Sequence, residues 1–245
     1  MQDENQHTYD NGFHAKEVTL KKNYKFYNRS LFFLIFRLIA RTTNRIWLLI
    51  PKFFIGFKII GKKNRKYAKG SVMIANHIHP LDAMLLISSF HFKTTYVTVL
   101  QSNLGFGIVS KYIRLGGAVP IPTDRHLLPR FKEETLNALN KKASILFYPE
   151  AALVPYCDHI RNFMPGAFHY AVLADVPILP CCWTFHQPKG LRKLFRRKKP
   201  VMHLNILEPY IIKQGENRNE TIRRTTQEVQ EIITNYFIEH SDYYH

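Results

Sequence analysis

Apolar runs alternate with amphipathic segments along the chain from residue 71 to its end. Short runs rich in β-branched and aromatic residues are typical of buried strands, whereas apolar residues three and four positions apart are typical of helices. The predicted strands are 71–75, 94–100, 116–122, 144–150, 177–185 and 201–207, and the predicted helices are 80–89, 106–115, 131–142, 166–174 and 219–240. This alternation predicts an α/β fold with a mixed, largely parallel sheet flanked by helices.

The segment that precedes this alternation, residues 21–69, contains no Asp or Glu. Its apolar stretches, such as "SLFFLIF" and "IWLLIP", are shorter than the ~20 residues of a membrane-spanning helix. Arg37, Arg41 and Arg45 recur every fourth residue and so lie along one side of a helix, and Pro51 separates a second helix from the first. The pattern predicts an N-terminal amphipathic helix pair ahead of the sheet.

Two interpretations of the basic helices remain open. Their arginines could form a solvated face on ordinary core helices. The abundance of Phe, Leu and Ile favours helices that lie in the membrane interface, where anionic headgroups attract each nearby Lys or Arg by roughly 1 kcal/mol. Residues 21–69 are therefore predicted to be membrane-interface helices, and the polar residues 1–20 to be a flexible N-terminus.

Composition supports an anionic partner. The chain has 245 residues, with 35 Lys plus Arg against 18 Asp plus Glu, a net charge of +17. Such an excess favours an anionic membrane surface, nucleic acid or an acidic protein. Aromatic residues do not alternate with basic ones on a predicted strand, so no nucleic-acid partner is expected. Cys157, Cys181 and Cys182 are an odd set without a disulfide pattern, which indicates a reducing, cytosol-facing location.

The stretch "SVMIANHIHPLDAM" places polar groups where a buried strand ends and a helix begins. Asp82 lies in the first helical turn, so its carboxylate can turn back to an imidazole nitrogen of His77 and make the other nitrogen a better proton acceptor. Two alternatives stay open. Asp82 could be only a helix cap, or His77, His79 and Asp82 could hold a metal ion.

Two further polar groups of residues follow predicted strands, namely "PIPTDR" and "YPEAA". Ligand sites of open α/β sheets form beyond the carboxyl ends of the strands. The segments are therefore expected to meet "NHIHPLD" at one edge of the sheet. Tyr148, within the second of these segments, is expected to be a core residue.

Four blocks in this order resemble the glycerolipid acyltransferases, which include the 1-acylglycerol-3-phosphate acyltransferases. "NHIHPLD" is similar to their N-H-x-x-x-x-D motif, "GGAVPIPTDR" to their second block, "LFYPEAAL" to a third block that usually reads F-P-E-G-T-R, and "VPILP" to the fourth. The resemblance covers roughly residues 70–185. It implies that His77 takes the proton of an acceptor hydroxyl while Asp82 steadies the imidazolium, without a metal or another cofactor.

The resemblance also implies which residues hold the substrate, and the chain departs from the family pattern there. Asn76, Arg125 and Glu150 match motif positions, and Arg125 is expected to bind an acceptor phosphate. Leu153 stands where the third block usually carries Arg. Arg161, further along the same loop, is expected to supply the missing guanidinium.

Together these observations predict an acyltransferase domain over residues 70–245, located on the cytoplasmic face of a membrane as a peripheral protein. The expected reaction moves a fatty acyl group from acyl-CoA or an acyl carrier protein thioester to a lysophospholipid, foremost 1-acylglycerol-3-phosphate. Acyl carrier protein is thus a candidate partner, beside the lysolipid acceptor and the anionic membrane. The rival functions are a metal-dependent hydrolase and a basic membrane-binding module without activity.

Overall fold

The computed structural model describes residues 16–28, 30–50, 53, 56–90, 94–195 and 199–243. The strands are β1 (Lys58–Ile60), β2 (Val72–Ala75), β3 (Thr95–Leu100), β4 (Ala118–Ile121), β5 (Ser144–Phe147), β6 (Ile178–His186) and β7 (Val201–Ile206). The helices are α1 (Leu31–Trp47), α2 (Asp82–Ser89), α3 (Ile108–Gly116), α4 (Leu128–Asn140), α5 (Gly166–Ala174), α6 (Arg192–Phe195) and α7 (Arg218–His240). The predicted α/β fold is confirmed.

The strands form one sheet in the order β1-β7-β6-β2-β5-β3-β4. The strands β2 to β6 run parallel to one another, β7 is antiparallel to β6, and β1 is parallel to β7. The carboxyl ends of β2 to β6 therefore share one edge. Their side chains are buried on both faces, which explains why the sequence shows continuous apolar runs there rather than alternation.

Helices cover both faces of the sheet. The chain moves from β2 through α2 to β3 and through α3 to β4, and then returns through α4 to β5 and through α5 to β6. Because crossovers between parallel strands are right-handed, connections that progress in opposite directions lie on opposite faces. Contacts agree: α1 packs against α2 and α3, whereas α4, α5 and α7 pack together.

The N-terminal segment differs from its prediction in two ways. Leu20 is buried, and the Gln101 side chain donates to the Val18 carbonyl at 2.6 Å, so packed structure begins before residue 21. The sheet begins at β1, inside the segment predicted to be helical, and not at residue 70. The predicted second helix falls largely on residues 51, 52, 54 and 55, which lie outside the described residues, as do residues 1–15.

Two of the three arginines of α1, Arg37 and Arg41, face the protein, whereas the large apolar side chains face outward, which excludes the alternative of a solvated arginine face. Arg37 and Arg41 are each only 4% exposed, whereas Phe32 is 64% and Trp47 is 73% exposed. The Arg37 guanidinium lies 4.4 Å from the centre of the Tyr96 ring. A guanidinium can donate up to five hydrogen bonds, so it can bind carbonyl groups that a strand or helix leaves free.

Arg41 shows this role directly. Its guanidinium donates to the carbonyl of Thr95, where β3 begins, and to that of Gly116 at 3.4 Å, where α3 ends. Burial, reinforced by the charge of Arg37, lowers the pKa of Arg41 to about 10, so the group is still charged at neutral pH. Arg41 therefore fastens α1 to the sheet while the other side of the helix remains uncovered.

We expect Arg41→Ala to lower the free energy of unfolding by about 1–3 kcal/mol, because it leaves buried carbonyl groups without a donor. Arg45→Ala is the matched control, since Arg45 lies on the same helix and is exposed. Its effect should stay within about 0.5 kcal/mol. Urea denaturation of the two variants gives the comparison, and equal losses would show that the buried guanidinium does not anchor the helix.

Candidate active site

The candidate site lies where two neighbouring strands, β2 and β5, leave the sheet. The chain leaves β2 towards the face that carries α2, and leaves β5 towards the face that carries α5. Adjacent parallel strands whose connections diverge in this way open a crevice at their carboxyl ends. Ile74 of β2 is in register with Phe147 of β5, so the register extended by three residues brings His77 level with Glu150.

A hydrogen bond orients the imidazole of His77. Its Nδ1 lies 2.8 Å from Asp82 Oδ2. An ionised carboxylate only accepts hydrogen bonds, so Nδ1 carries the proton and Nε2 holds the free lone pair. The His77 side chain is 23% exposed whereas that of Asp82 is fully buried, so the imidazole is the partner that a substrate can reach.

Asp82 receives three donors besides His77. The backbone N–H groups of Ile78 and His79 donate to Oδ2 at 2.9 and 3.2 Å, and the Tyr148 hydroxyl donates to Oδ1 at 3.0 Å. A buried carboxylate with no solvent needs such donors to remain charged. The start of α2 adds the favourable end of the helix dipole. These donors and the helix start thus stabilise the negative charge of the Asp82 carboxylate.

Glu150 holds the backbone of the same turn. Its Oε2 accepts from the His77 backbone N–H at 3.1 Å and from Arg161 Nη2 at 2.9 Å, and its Oε1 accepts from the Arg161 N–H at 3.2 Å. Burial raises the pKa of Glu150 above its usual value, while the Arg161 charge and the two N–H donors act in the opposite direction. The ion pair of Glu150 and Arg161 thus contacts the backbone of His77 directly.

Of the four residues expected to bind the substrate, three are buried and one is exposed. Arg161 is buried, and its guanidinium binds Glu150 and the Ala152 carbonyl. Asn76 is also buried, and its amide exchanges two hydrogen bonds with the backbone of Trp183, at 2.8 and 3.1 Å. Most polar atoms of Asn76, Glu150 and Arg161 thus bind protein, an arrangement suited to positioning the His77 turn rather than to binding a substrate.

Arg125 is the exposed guanidinium of the predicted set. It begins a short 3₁₀ turn just after β4, on the sheet edge that also carries His77. Strands β5 and β3 separate β4 from β2, and strands are spaced by about 4.8 Å, so the two backbones are about 14 Å apart. The length of an arginine side chain and a substrate of glycerophosphate size fit this separation.

The alternative metal site would use His77, His79 and Asp82, which do not bring three donor atoms within 4.8 Å of one another in the described structure. His77 and Asp82 bind each other, and His79 Nδ1 accepts the Leu81 N–H at 3.1 Å, which caps the start of α2. Among the described residues, one group of three potential ligands lies within 4.8 Å of one another, formed by Cys157, Asp158 and His159. It is separate from the histidine and aspartate proposed for catalysis.

Two features of the site were not predicted from the sequence. Tyr148, expected only as a core residue, carries a hydroxyl that reaches Asp82, and its ring stacks on His77 with centres 4.1 Å apart. Ala151 adopts a left-handed backbone conformation, with φ of 62°. A signal for the second feature exists, because the third block of the resembling family usually has Gly at this place.

The part of the chain that contains the candidate site matches a protein-family model. The model described as Acyltransferase matches residues 56–184, more than half of the 245 residues. The chain belongs to the acyltransferase family. The match begins just before β1 and ends within β6, so it includes both His77 and Glu150.

A solved structure has the same fold as this acyltransferase. It is described as the 1-acyl-sn-glycerophosphate (LPA) acyltransferase PlsC from Thermotoga maritima, and the two share 18% sequence identity with a TM-score of 0.55. The superposition covers 86% of this chain and 88% of that chain. A search of curated proteins found no significant match.

Ala151→Gly should stabilise the acyltransferase by about 0.5–1 kcal/mol. A side chain in the left-handed region costs roughly 1–2 kcal/mol, and replacing it with glycine removes this strain. The greater conformational entropy of glycine in the unfolded chain offsets about 0.5–1 kcal/mol of that gain. Ala152→Gly is the control, because Ala152 has no positive φ and glycine there should destabilise. Thermal unfolding measures both, and a lower melting temperature for Ala151→Gly would contradict the strain.

Proposed function

We propose that this acyltransferase moves a fatty acyl group from an acyl thioester to the free hydroxyl of a lysophospholipid, foremost 1-acylglycerol-3-phosphate. The observation that carries the proposal is the contact of 2.8 Å between His77 Nδ1 and the buried carboxylate of Asp82, which leaves Nε2 of the partly exposed imidazole to accept a proton. A base oriented in this way suits the removal of a proton from an alcohol. Membership of the acyltransferase family supplies the reaction class.

The proposed mechanism needs no acyl-enzyme. His77 Nε2 accepts the proton of the acceptor hydroxyl as the oxygen attacks the thioester carbonyl, and Asp82 stabilises the imidazolium. When the tetrahedral intermediate collapses, the carbon–sulfur bond breaks and the imidazolium returns its proton to the leaving thiolate. The products are the diacylated lipid and the free thiol of coenzyme A or acyl carrier protein.

The negative oxygen of the intermediate needs hydrogen-bond donors. The first turn of α2 leaves backbone N–H groups without partners inside the helix. Those of Leu81 and Asp82 donate to His79. We assign the oxyanion to the next two, the N–H groups of Ala83 and Met84.

We assign the acceptor phosphate to Arg125, because an exposed guanidinium on the same sheet edge can form paired, charge-assisted hydrogen bonds with phosphate oxygens. The PlsC structure supports this acceptor, since its description names 1-acyl-sn-glycerophosphate. Asn76, Glu150 and Arg161 act on the substrate indirectly by fixing the turn that carries His77. That indirect role replaces the expected contact between Arg161 and phosphate.

The rival functions fit the site less well. A hydrolase that uses His77, His79 and Asp82 as metal ligands would need three donor atoms close together, and in the described part of the chain these side chains do not form such a group. A membrane-binding module without activity would not need a buried carboxylate behind a half-buried histidine. Neither rival explains why Glu150 holds the backbone of His77.

The direct test is a transfer assay with a radiolabelled acyl thioester, supplied either as acyl-CoA or as acyl carrier protein thioester. The acceptors are 1-acylglycerol-3-phosphate, lysophosphatidylcholine and monoacylglycerol. We expect 1-acylglycerol-3-phosphate to give the highest kcat/KM. His77→Ala should lower transfer by about 10²–10⁴-fold, because that is the usual contribution of a general base.

His79→Ala is the matched control, since His79 lies two residues away and contacts the helix start rather than Asp82 with its ring. It should lower transfer less than tenfold. Near-normal turnover by His77→Ala would rule out the mechanism. A loss from His79→Ala as large as that from His77→Ala, together with sensitivity to chelators, would favour the metal hydrolase.

We further propose that the acyltransferase binds the cytoplasmic face of a membrane through the uncovered side of α1. None of the helices in the described part of the chain is long and apolar enough to cross a bilayer. The outward side of α1 has the large apolar side chains that interfacial helices insert. Exposed lysines of the following segment supply positive charge for anionic headgroups, namely Lys62, Lys63, Lys66 and Lys69. The three buried, unpaired cysteines support a reducing compartment.

Vesicle flotation tests the membrane proposal. Binding should rise with anionic lipid and fall with salt, because the charges act within a Debye length of about 8–10 Å. Changing Phe32, Phe36 and Trp47 together to Ser should release the protein, since all three are exposed on α1. The control changes exposed apolar residues on the other side of the sheet to Ser, namely Met164, Ile232 and Ile238. Equal flotation of both triple variants would contradict the role of α1.

A further inference from the structure

One side chain touches both members of the proposed catalytic pair. The Tyr148 hydroxyl lies 3.0 Å from Asp82 Oδ1, and the Tyr148 ring stacks on the His77 imidazole with centres 4.1 Å apart and planes 21° from parallel. Tyr148 precedes Pro149 and Glu150, at the place where the third block of the family usually has Phe. The ring is therefore the family's usual feature, whereas the hydroxyl is a feature of this chain.

We propose that Tyr148 is a positioning residue for acyl transfer, whose hydroxyl fixes the Asp82 carboxylate and whose ring fixes the plane of the His77 imidazole. The inference rests on the proposed function of His77 as the base. It adds a residue that directly follows β5 to a pair from the β2–α2 turn. Tyr148 thereby links the orientation of the base to the sheet itself.

The distribution of donors around Asp82 explains why the hydroxyl matters. Oδ2 receives His77 Nδ1 and the two N–H groups of Ile78 and His79, all from the turn just before α2. Oδ1 receives Tyr148 alone among the described residues. Asp82 is fully buried, so solvent is not available to replace that donor. Without the hydroxyl, Oδ1 would be a buried acceptor with no partner, and the carboxylate would lose its fixed plane.

The hydroxyl is a constant donor across the working pH range. Burial, followed by the charge of Asp82 and the hydrogen bond to it, raises the pKa of Tyr148 well above its ordinary value. The phenol therefore stays protonated whenever Asp82 is ionised. Its hydrogen bond draws off part of the carboxylate charge, so Asp82 holds the protonated imidazole less strongly than it would alone.

Tyr148→Phe removes the hydroxyl and keeps the stacked ring. We expect kcat to fall about tenfold, which is the lower end of what a lost bond to a charged group produces. The KM values for acceptor and thioester should stay within about twofold. The acid limb of the pH–rate profile should move to higher pH, because Asp82 then holds the proton on His77 more strongly and a protonated imidazole cannot act as a base.

Tyr96→Phe is the matched control. Tyr96 is a buried tyrosine of β3, and its hydroxyl has no hydrogen-bond partner among the described residues. Its loss should leave kcat and the pH profile unchanged. Tyr148→Leu, which removes the ring as well, should lower kcat further than Tyr148→Phe does.

A readout that needs no substrate separates this inference from the proposed function. Nitrogen NMR of ¹⁵N-labelled histidine should show the Nδ1-protonated form of His77 in the wild type. In folded Tyr148→Phe, its titration midpoint should move to higher pH. An unchanged titration and unchanged kcat in folded Tyr148→Phe would overturn the role of Tyr148. Absence of transfer to any lysolipid by the wild type would instead overturn the proposed function, whatever the NMR result.

Discussion

The burial of one charged carboxylate, that of Asp82, constrains the whole site. A carboxylate removed from water must be surrounded by donors, and Asp82 obtains them from a histidine, two backbone N–H groups and a tyrosine hydroxyl. Three of these donors lie in the turn between β2 and α2, so satisfying the charge also folds that turn. The same hydrogen bonds leave His77 with a single free nitrogen. The hydrogen bonds that stabilise the buried carboxylate are therefore also the ones that orient the imidazole for proton transfer.

A second buried carboxylate, that of Glu150, fixes the backbone of the turn that binds Asp82. Glu150 binds the backbone of His77 and pairs with Arg161, and Glu150 and His77 lie just beyond the carboxyl ends of the adjacent strands β5 and β2. Removing one partner of a buried ion pair leaves the other charge uncompensated, which typically costs about 3–5 kcal/mol. The departure of this chain from the family's third block is understandable in these terms. Leu153 occupies the place of the usual Arg, and Arg161 supplies a guanidinium to Glu150 from further along the loop.

Local patterns explain which parts of the fold could be predicted from the sequence. Strands β2 to β7 and helices α2 to α5 and α7 are each marked by apolar runs or helical spacing between turn residues. Strand β1 has only three residues and lies at the sheet edge, so it carries no readable period. The burial of Arg37 and Arg41 on α1 could not be predicted from the sequence. The carbonyl partners of Arg41 are more than fifty positions away, which no pattern within the helix reveals.

The contacts of the site that could be predicted are likewise those between residues close in sequence. The contact between His77 and Asp82 spans five positions and follows from a turn at a helix start, so the sequence predicts it. Tyr148 lies 66 positions from Asp82, and its role depends on the pairing of β2 with β5. Arg161 was placed near the site but expected to face the substrate. Its burial depends on the path of a loop of eleven residues from Glu150, which sequence spacing does not define.

The central claim is that His77 Nε2 faces the hydroxyl that receives the acyl group. A structure of the protein with 1-acylglycerol-3-phosphate and an unreactive acyl-thioether analogue of the donor tests it most directly. The acceptor hydroxyl should lie within about 3 Å of His77 Nε2, which is the reach of a general base. The acceptor phosphate should lie beside Arg125. An acceptor hydroxyl that lies away from the imidazole, with His77 Nε2 bound to another protein group, would contradict it.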